Sequence, residues 1–92
     1  MKTNIDIVKF SSFEGYGVRI TDKFLLKNII SFIDNSPNET NGIISTWYLW
    51  NKIEHVKKYC TFSTYENALE AKLKYEKLLK QNDTKIEYKV LT

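Results

Sequence analysis

Residues 62–80, FSTYENALEAKLKYEKLLK, constrain the fold more than any other stretch of this chain. Ser63 and Glu66 stand at the spacing of a capping box, in which a hydroxyl and a carboxylate each satisfy a free backbone N–H at a helix start. At helical period Ala68, Ala71, Tyr75, Leu78 and Leu79 fall on one side. Glu70 with Lys74 and Glu76 with Lys80 form i to i+4 pairs on the other. The two alanines let the helix axis come close to the layer it covers, and the surrounding segments supply a sheet for that layer.

Two short segments before this helix alternate with a period of two. In NIDIVKF (4–10) Ile5 and Ile7 flank Asp6, and in YGVRI (16–20) Tyr16, Val18 and Ile20 flank Gly17 and Arg19, so each is expected to bury one face of a strand. The connection between them is short and holds Gly15, which makes them the arms of a hairpin. TDKFLLKNIISFIDNS (21–36) reads as an amphipathic helix. Leu25, Leu26, Ile29, Ile30, Phe32 and Ile33 fall on one side and Lys23, Lys27, Asn28, Ser31 and Asp34 on the other. NSPNETNG (35–42), with Pro37 and Gly42, reads as the loop that ends it.

The apolar residues of 43–62 spread around a helical wheel, so IISTWYLW (43–50) and VKKYCTF (56–62) are expected to form a second hairpin around a turn at NKIEH (51–55). KIEYKVL (85–91) alternates again and reads as a final strand. The expected order is β-β-α-β-β-α-β: an α+β, two-layer domain of about five mainly antiparallel strands with two helices on one face. The opposite face is then left partly open.

A chain of 92 residues with 42 % hydrophobic and 27 % charged residues is expected to form one folded domain, residues 1–92. One cysteine allows no internal disulfide, and no N-terminal apolar run precedes a cleavage site, so the expected location is cytoplasmic, without contact to a membrane. The net charge of +3 arises entirely in residues 51–92, which carry nine basic and six acidic groups. That excess is mild beside the basic stripe of a dedicated nucleic-acid binder.

Catalytic patterns are missing from the sequence. One His and one Cys cannot supply the three or four ligands of a zinc site. Cys60 with His55 could be imagined as thiolate and base, but a lone strand cysteine is usually a small buried hydrophobe. The GYG at 15–17 lacks the strand-to-helix context of a phosphate loop. The expectation is a protein that is not an enzyme and holds no cofactor and no metal.

Binding remains. In a strand Trp47 and Leu49 point one way and Tyr48 and Trp50 the other, so a large aromatic must face away from the helices whichever pair is buried. Either a second cluster, closed by Phe13 or Tyr16, covers that face, or Tyr48, Trp50 and Tyr59 with Lys52, Lys57 and Lys58 form an exposed aromatic and cationic patch. Such a patch suits a protein partner and also suits stacked bases and phosphates.

Two resemblances bear on the choice. Residues 47–80, above all TFSTYENALEAKLKYEKL, resemble the last strand and helix of the AP2-type DNA-binding domain, and Gly17-Val18-Arg19 resembles that family's first strand. This implies a DNA contact at Trp47, although the arginines through which the family reads the major groove have no counterpart. In size, single-domain build and biased composition the chain also resembles small phage-encoded anti-defence proteins of the anti-CRISPR type. That likeness implies an inhibitor that blocks a larger protein or nucleoprotein complex by steric occlusion; an exposed edge strand, such as the C-terminal one, leaves both a monomer and a homodimer open. A small DNA- or RNA-binding domain is the alternative.

Overall fold

The computed structural model describes residues 2–85 and 90–91, and the side chains of 2–80 and 90–91. The protein is α+β. Strands β1 (Lys2–Lys9), β2 (Tyr16–Phe24) and β3 (Lys27–Ile33) form a meander, and a short strand β6 (Leu49–Trp50) joins it to complete an antiparallel sheet of order β1-β2-β3-β6. Between β3 and β6 the chain makes a separate small hairpin of β4 (Asn38–Thr40) and β5 (Ile43–Thr46). Helices α1 (Ile53–Tyr59) and α2 (Tyr65–Lys85) follow.

The first hairpin forms as its alternation requires. Ile5 faces Ile20 and Ile7 faces Val18 across the β1–β2 ladder, so four β-branched side chains stand on one face. That face receives the stripe of α2: Ala68, Ala71 and Tyr75 are buried against Val18, Ile20, Ile33 and Trp47, with Leu78 and Leu79 packed at the margin. Ala68 has no exposed surface, which is the close approach its small side chain permits. α1 packs instead at the β6 edge, and its His55 and Tyr59 meet Trp50.

Two segments exchange their expected structures. Residues 21–36 are not a helix: β2 runs on to Phe24, the chain turns at Leu25 and Leu26, and β3 returns, with Phe24 opposite Lys27. Leu25 takes a positive φ of 46° in a turn that carries no Gly, Asn or Pro, so the local chemistry that marks a hairpin is absent from the sequence. The apolar pattern misleads because β3 carries apolar side chains on both faces, while Leu25, Leu26, Ile29 and Ile30 stay exposed. Ser31 and Ile33 point into the α2 core, while Phe32 packs against Phe10 on the other face.

Residues 53–59 of the expected second hairpin are helical and not a turn and strand. α1 has only seven residues, and its N-cap Lys52 makes no side-chain cap bond. Its end is better specified: the Cys60 N–H donates to the Val56 carbonyl at 2.9 Å and the Thr61 hydroxyl to the Lys57 carbonyl at 2.9 Å. The hairpin that does form lies where a loop is expected, around Asn41 and Gly42, both at positive φ (54° and 77°). Asn-Gly is the strongest short-range hairpin signal in a sequence, and NSPNETNG carries it at its end.

Details at α2 also differ. The cap is Thr64, whose hydroxyl accepts the Asn67 N–H at 3.1 Å, one residue beyond the expected Ser63 and Glu66 box. Glu70 pairs with Lys74 at 2.8 Å as expected, and Glu76 also lies 3.2 Å from Lys72. Lys85 belongs to α2, and the rest of the expected final strand lies largely outside the described residues.

The two layers are tied where the α1–α2 connection meets the sheet. Tyr16 and Phe62 exchange both backbone hydrogen bonds, at 2.9 and 2.7 Å. Gly15, just before, sits at a φ of +124°, where a side chain is strained, and a Cβ there would run into the Thr61 methyl. Gly15→Ala is expected to cost about 2 kcal/mol, read as a lower urea midpoint with an unchanged slope.

Candidate binding face

Both indoles of the WYLW segment end on one residue. β6 continues the β3 ladder, so that the Asp34 N–H donates to the Tyr48 carbonyl at 2.9 Å. From there Trp47 turns towards α2, its ring 5.9 Å from Tyr75, and donates its Nε1–H to the Asp34 carbonyl at 2.8 Å. Trp50 lies on the opposite side and donates its Nε1–H to Asp34 Oδ2 at 2.8 Å. The remaining carboxylate oxygen accepts the Ser36 N–H at 2.8 Å. A carboxylate buried to this extent is stable only with such partners. Nothing in the sequence pointed to Asp34.

Trp50 then anchors a group of rings. Tyr59 stacks on it at 4.9 Å with 25° between the planes, His55 is tilted against it at 4.9 Å, and Tyr48 stands 6.5 Å away. His55 and Tyr59 are one turn apart on α1, a spacing that is visible only once that segment is known to be helical. Lys58 Nζ lies 5.3 Å from the centre of the Tyr59 ring. On the same face of the sheet Phe32 leads to Phe10, which stacks on Phe13 at 4.5 Å, and Lys57 Nζ stands 6.0 Å from the Phe13 ring. Gly17 makes room beneath, since a Cβ there would strike the Phe10 ring.

Both expectations for this face therefore hold in part. Phe10, Phe13 and Phe32 close a second aromatic cluster, while Tyr16 points elsewhere, towards Tyr65. Tyr48, Trp50, Tyr59, Lys57 and Lys58 come together beside that cluster, with Tyr48 64 % exposed and Trp50 and Tyr59 partly so. Lys52 is exposed at the start of α1, and among the described residues no ring contact joins it to the group. His55, Phe10 and Phe32 belong to the face and were missed. Lys57 and Lys58 also have a local role, since cations in the last turn of a helix oppose its negative end. Trp47, through which the AP2 likeness implied a DNA contact, is buried.

Cys60 has no exposed surface and points its Sγ at the Phe32 carbonyl, 3.6 Å away. Burial, assisted by the Asp34 carboxylate, pushes its thiol up to about 12. At pH 8 only roughly one thiol in ten thousand is then ionised, and the thiolate is the nucleophile. Cys60 is expected to resist iodoacetamide at pH 8 in the folded protein and to be alkylated in urea, as judged by intact mass. The shift also acts on stability. The unfolded thiol ionises near its ordinary value of 9.0 and the folded one near 12, so stability is full below pH 9 and falls as pH rises from there towards 12. Burial and the nearby Asp22 raise the Tyr75 phenol in the same sense. A urea midpoint that fell between pH 7 and pH 10.5 would fit this, and one that rose would contradict it.

Compared with known protein families, with curated proteins and with solved structures, the chain matches none. Among the described residues no three His, Cys, Asp or Glu side chains gather where they could hold a metal ion, and no helix is long and apolar enough to cross a membrane.

Proposed function

We propose that this is a cytoplasmic, non-enzymatic binding protein, phage or mobile-element encoded, that inhibits a larger protein or nucleoprotein complex by steric occlusion in the manner of anti-CRISPR proteins. The observation that carries the reading is the ring group of Tyr48, Trp50 and Tyr59, with Lys58 over Tyr59, Lys57 over the adjoining Phe13 and Lys52 exposed at the start of α1, on a sheet face that α2 does not cover. Interface hot spots are enriched in such aromatics, held rigid and ringed by charge. Trp50 is fixed by its bond to Asp34 and by Tyr59, so little side-chain freedom is left to lose on binding.

The lysines lying over ring faces favour a second reading, in which the same face stacks bases and holds phosphates. The readings differ in salt dependence. A nucleic-acid complex weakens steeply between 50 and 200 mM salt, whereas an occluding protein contact loses far less. Tyr48→Ala is the informative variant, because among the described residues this exposed side chain makes no hydrogen bond, and its loss is expected to leave stability nearly unchanged. Capture from the native host, with and without nuclease, is expected to retain one protein partner with the wild type. The purified partner is expected to bind Tyr48→Ala at least 10-fold more weakly, about 1.4 kcal/mol. Undiminished binding by both Tyr48→Ala and Lys58→Glu would remove the face from the proposal.

A further inference from the structure

β3 is half covered. Its outer edge pairs with β6 only at Phe32 and Ile33, and no described residue pairs with that edge from Asn28 to Ser31. Which backbone groups face outward follows from the ladder. The Asp34 N–H bonds outward to Tyr48, and alternation along an antiparallel strand assigns the outward pairs of groups to 32, 30 and 28. The close of the β2–β3 hairpin at Phe24 and Lys27 agrees, because it turns Lys27, Ile29 and Ser31 inward to β2. Asn28 and Ile30 therefore each turn one N–H and one C=O outward at the edge, with no strand partner among the described residues.

The side chains around these groups are not those of a protected edge. Ile29 is 41 % and Ile30 47 % exposed, and Leu25 and Leu26 at the tip are fully exposed. From Asn28 to Ile33 there is no charge and no proline, the usual devices against edge pairing. β1, at the other end of the sheet, carries Lys2, Asp6 and Lys9.

We infer that this edge pairs antiparallel with the same edge of a second copy, about a two-fold axis through Ile29. The occupant follows from self-complementarity. With Asn28 opposite Ile30 of the second copy, and the reverse, all four outward groups on each chain are paired and Ile29 meets its own twin. Lys27 then opposes Ser31, so no like charges meet. The tips carrying Leu25 and Leu26 point towards the end of β6 in the other copy, where Trp50 stands opposite Phe32. The dimer goes beyond the functional reading and leaves the Tyr48 and Trp50 face to a different partner.

Sedimentation of the wild type at 10 to 200 µM is expected to show twice the 10.9 kDa chain mass. Ile29→Cys tests the register. At a non-hydrogen-bonded antiparallel pair the Cα atoms stand about 4.5 Å apart, within disulfide range, so the introduced thiols should link into a dimer on a non-reducing gel. Ile30→Cys should not link, since its twins lie about 8 Å apart, two residues out of step. Cys60 is buried and does not interfere. Ile30→Pro removes an N–H that β2 does not use, and it is expected to keep the circular dichroism of the fold while weakening the dimer at least 10-fold. A wild type that stays at 10.9 kDa throughout, or a folded Ile29→Cys that fails to link under oxidation, would overturn the inference.

Discussion

Asp34→Ala is expected to lower the thermal midpoint by about 15 °C. The carboxylate holds the Trp50 indole and the Ser36 N–H at 2.8 Å each, and its removal leaves two part-buried bonds without their acceptor. Bonds to a charged acceptor contribute about 1.5 to 3 kcal/mol each, and a stranded donor costs its desolvation as well, so a loss of about 3 kcal/mol is the conservative sum. For a domain of this size each kcal/mol moves the midpoint by about 5 °C. Asp34→Asn keeps one acceptor oxygen and is expected to lose about half as much. Calorimetry on the two variants checks both the size and the ranking. A drop of less than about 2 °C for Asp34→Ala would mean that the carboxylate does not organise this corner.

The larger effect is expected at Trp47. Its ring fills the space between β3, β5 and α2 against Tyr75, and its N–H closes on the Asp34 carbonyl. Trp→Ala in a core costs about 3 to 5 kcal/mol through lost contacts and the cavity left behind. Small domains have only about 5 to 9 kcal/mol in total, so the variant is expected to be partly unfolded at 37 °C. Tyr48→Ala, one residue along, is expected to cost less than about 0.5 kcal/mol. Urea titrations of the pair, followed by far-ultraviolet circular dichroism, measure the contrast. Equal losses would mean that the WYLW segment does not divide between core and surface in this way.

That division was half legible from the residues. Alternation separated Trp47 from Tyr48 and Trp50 correctly, because Leu49 and Trp50 do form a strand, but Leu49 is exposed and does not share the core with Trp47. The partner rings could be named in part. Tyr59 reaches Trp50, and Lys58 and Lys57 reach the rings of Tyr59 and Phe13, because α1 carries them there and not because a returning strand does. The helix stripe of α2 was readable because it is long and its apolar positions serve one surface. β3 was not, since apolar residues on both sides of a strand satisfy a helical wheel almost as well, and its Leu-Leu turn carries no turn residue. Asp34 was invisible for a further reason: beyond its local bond to Ser36, its indole partners are 13 and 16 residues away, and nothing local to DNS specifies a bond to an indole.

The face built on Trp50, not the core built on Trp47, is expected to meet the partner. The two indole N–H resonances in a proton–nitrogen spectrum read this directly, one from each side of the sheet. On titration with the captured partner the Trp50 signal is expected to shift or broaden together with the amides of Tyr48 and Lys57 to Tyr59, while the Trp47 signal stays in place. Saturating complex formation that leaves the Trp50 indole unmoved would contradict the account.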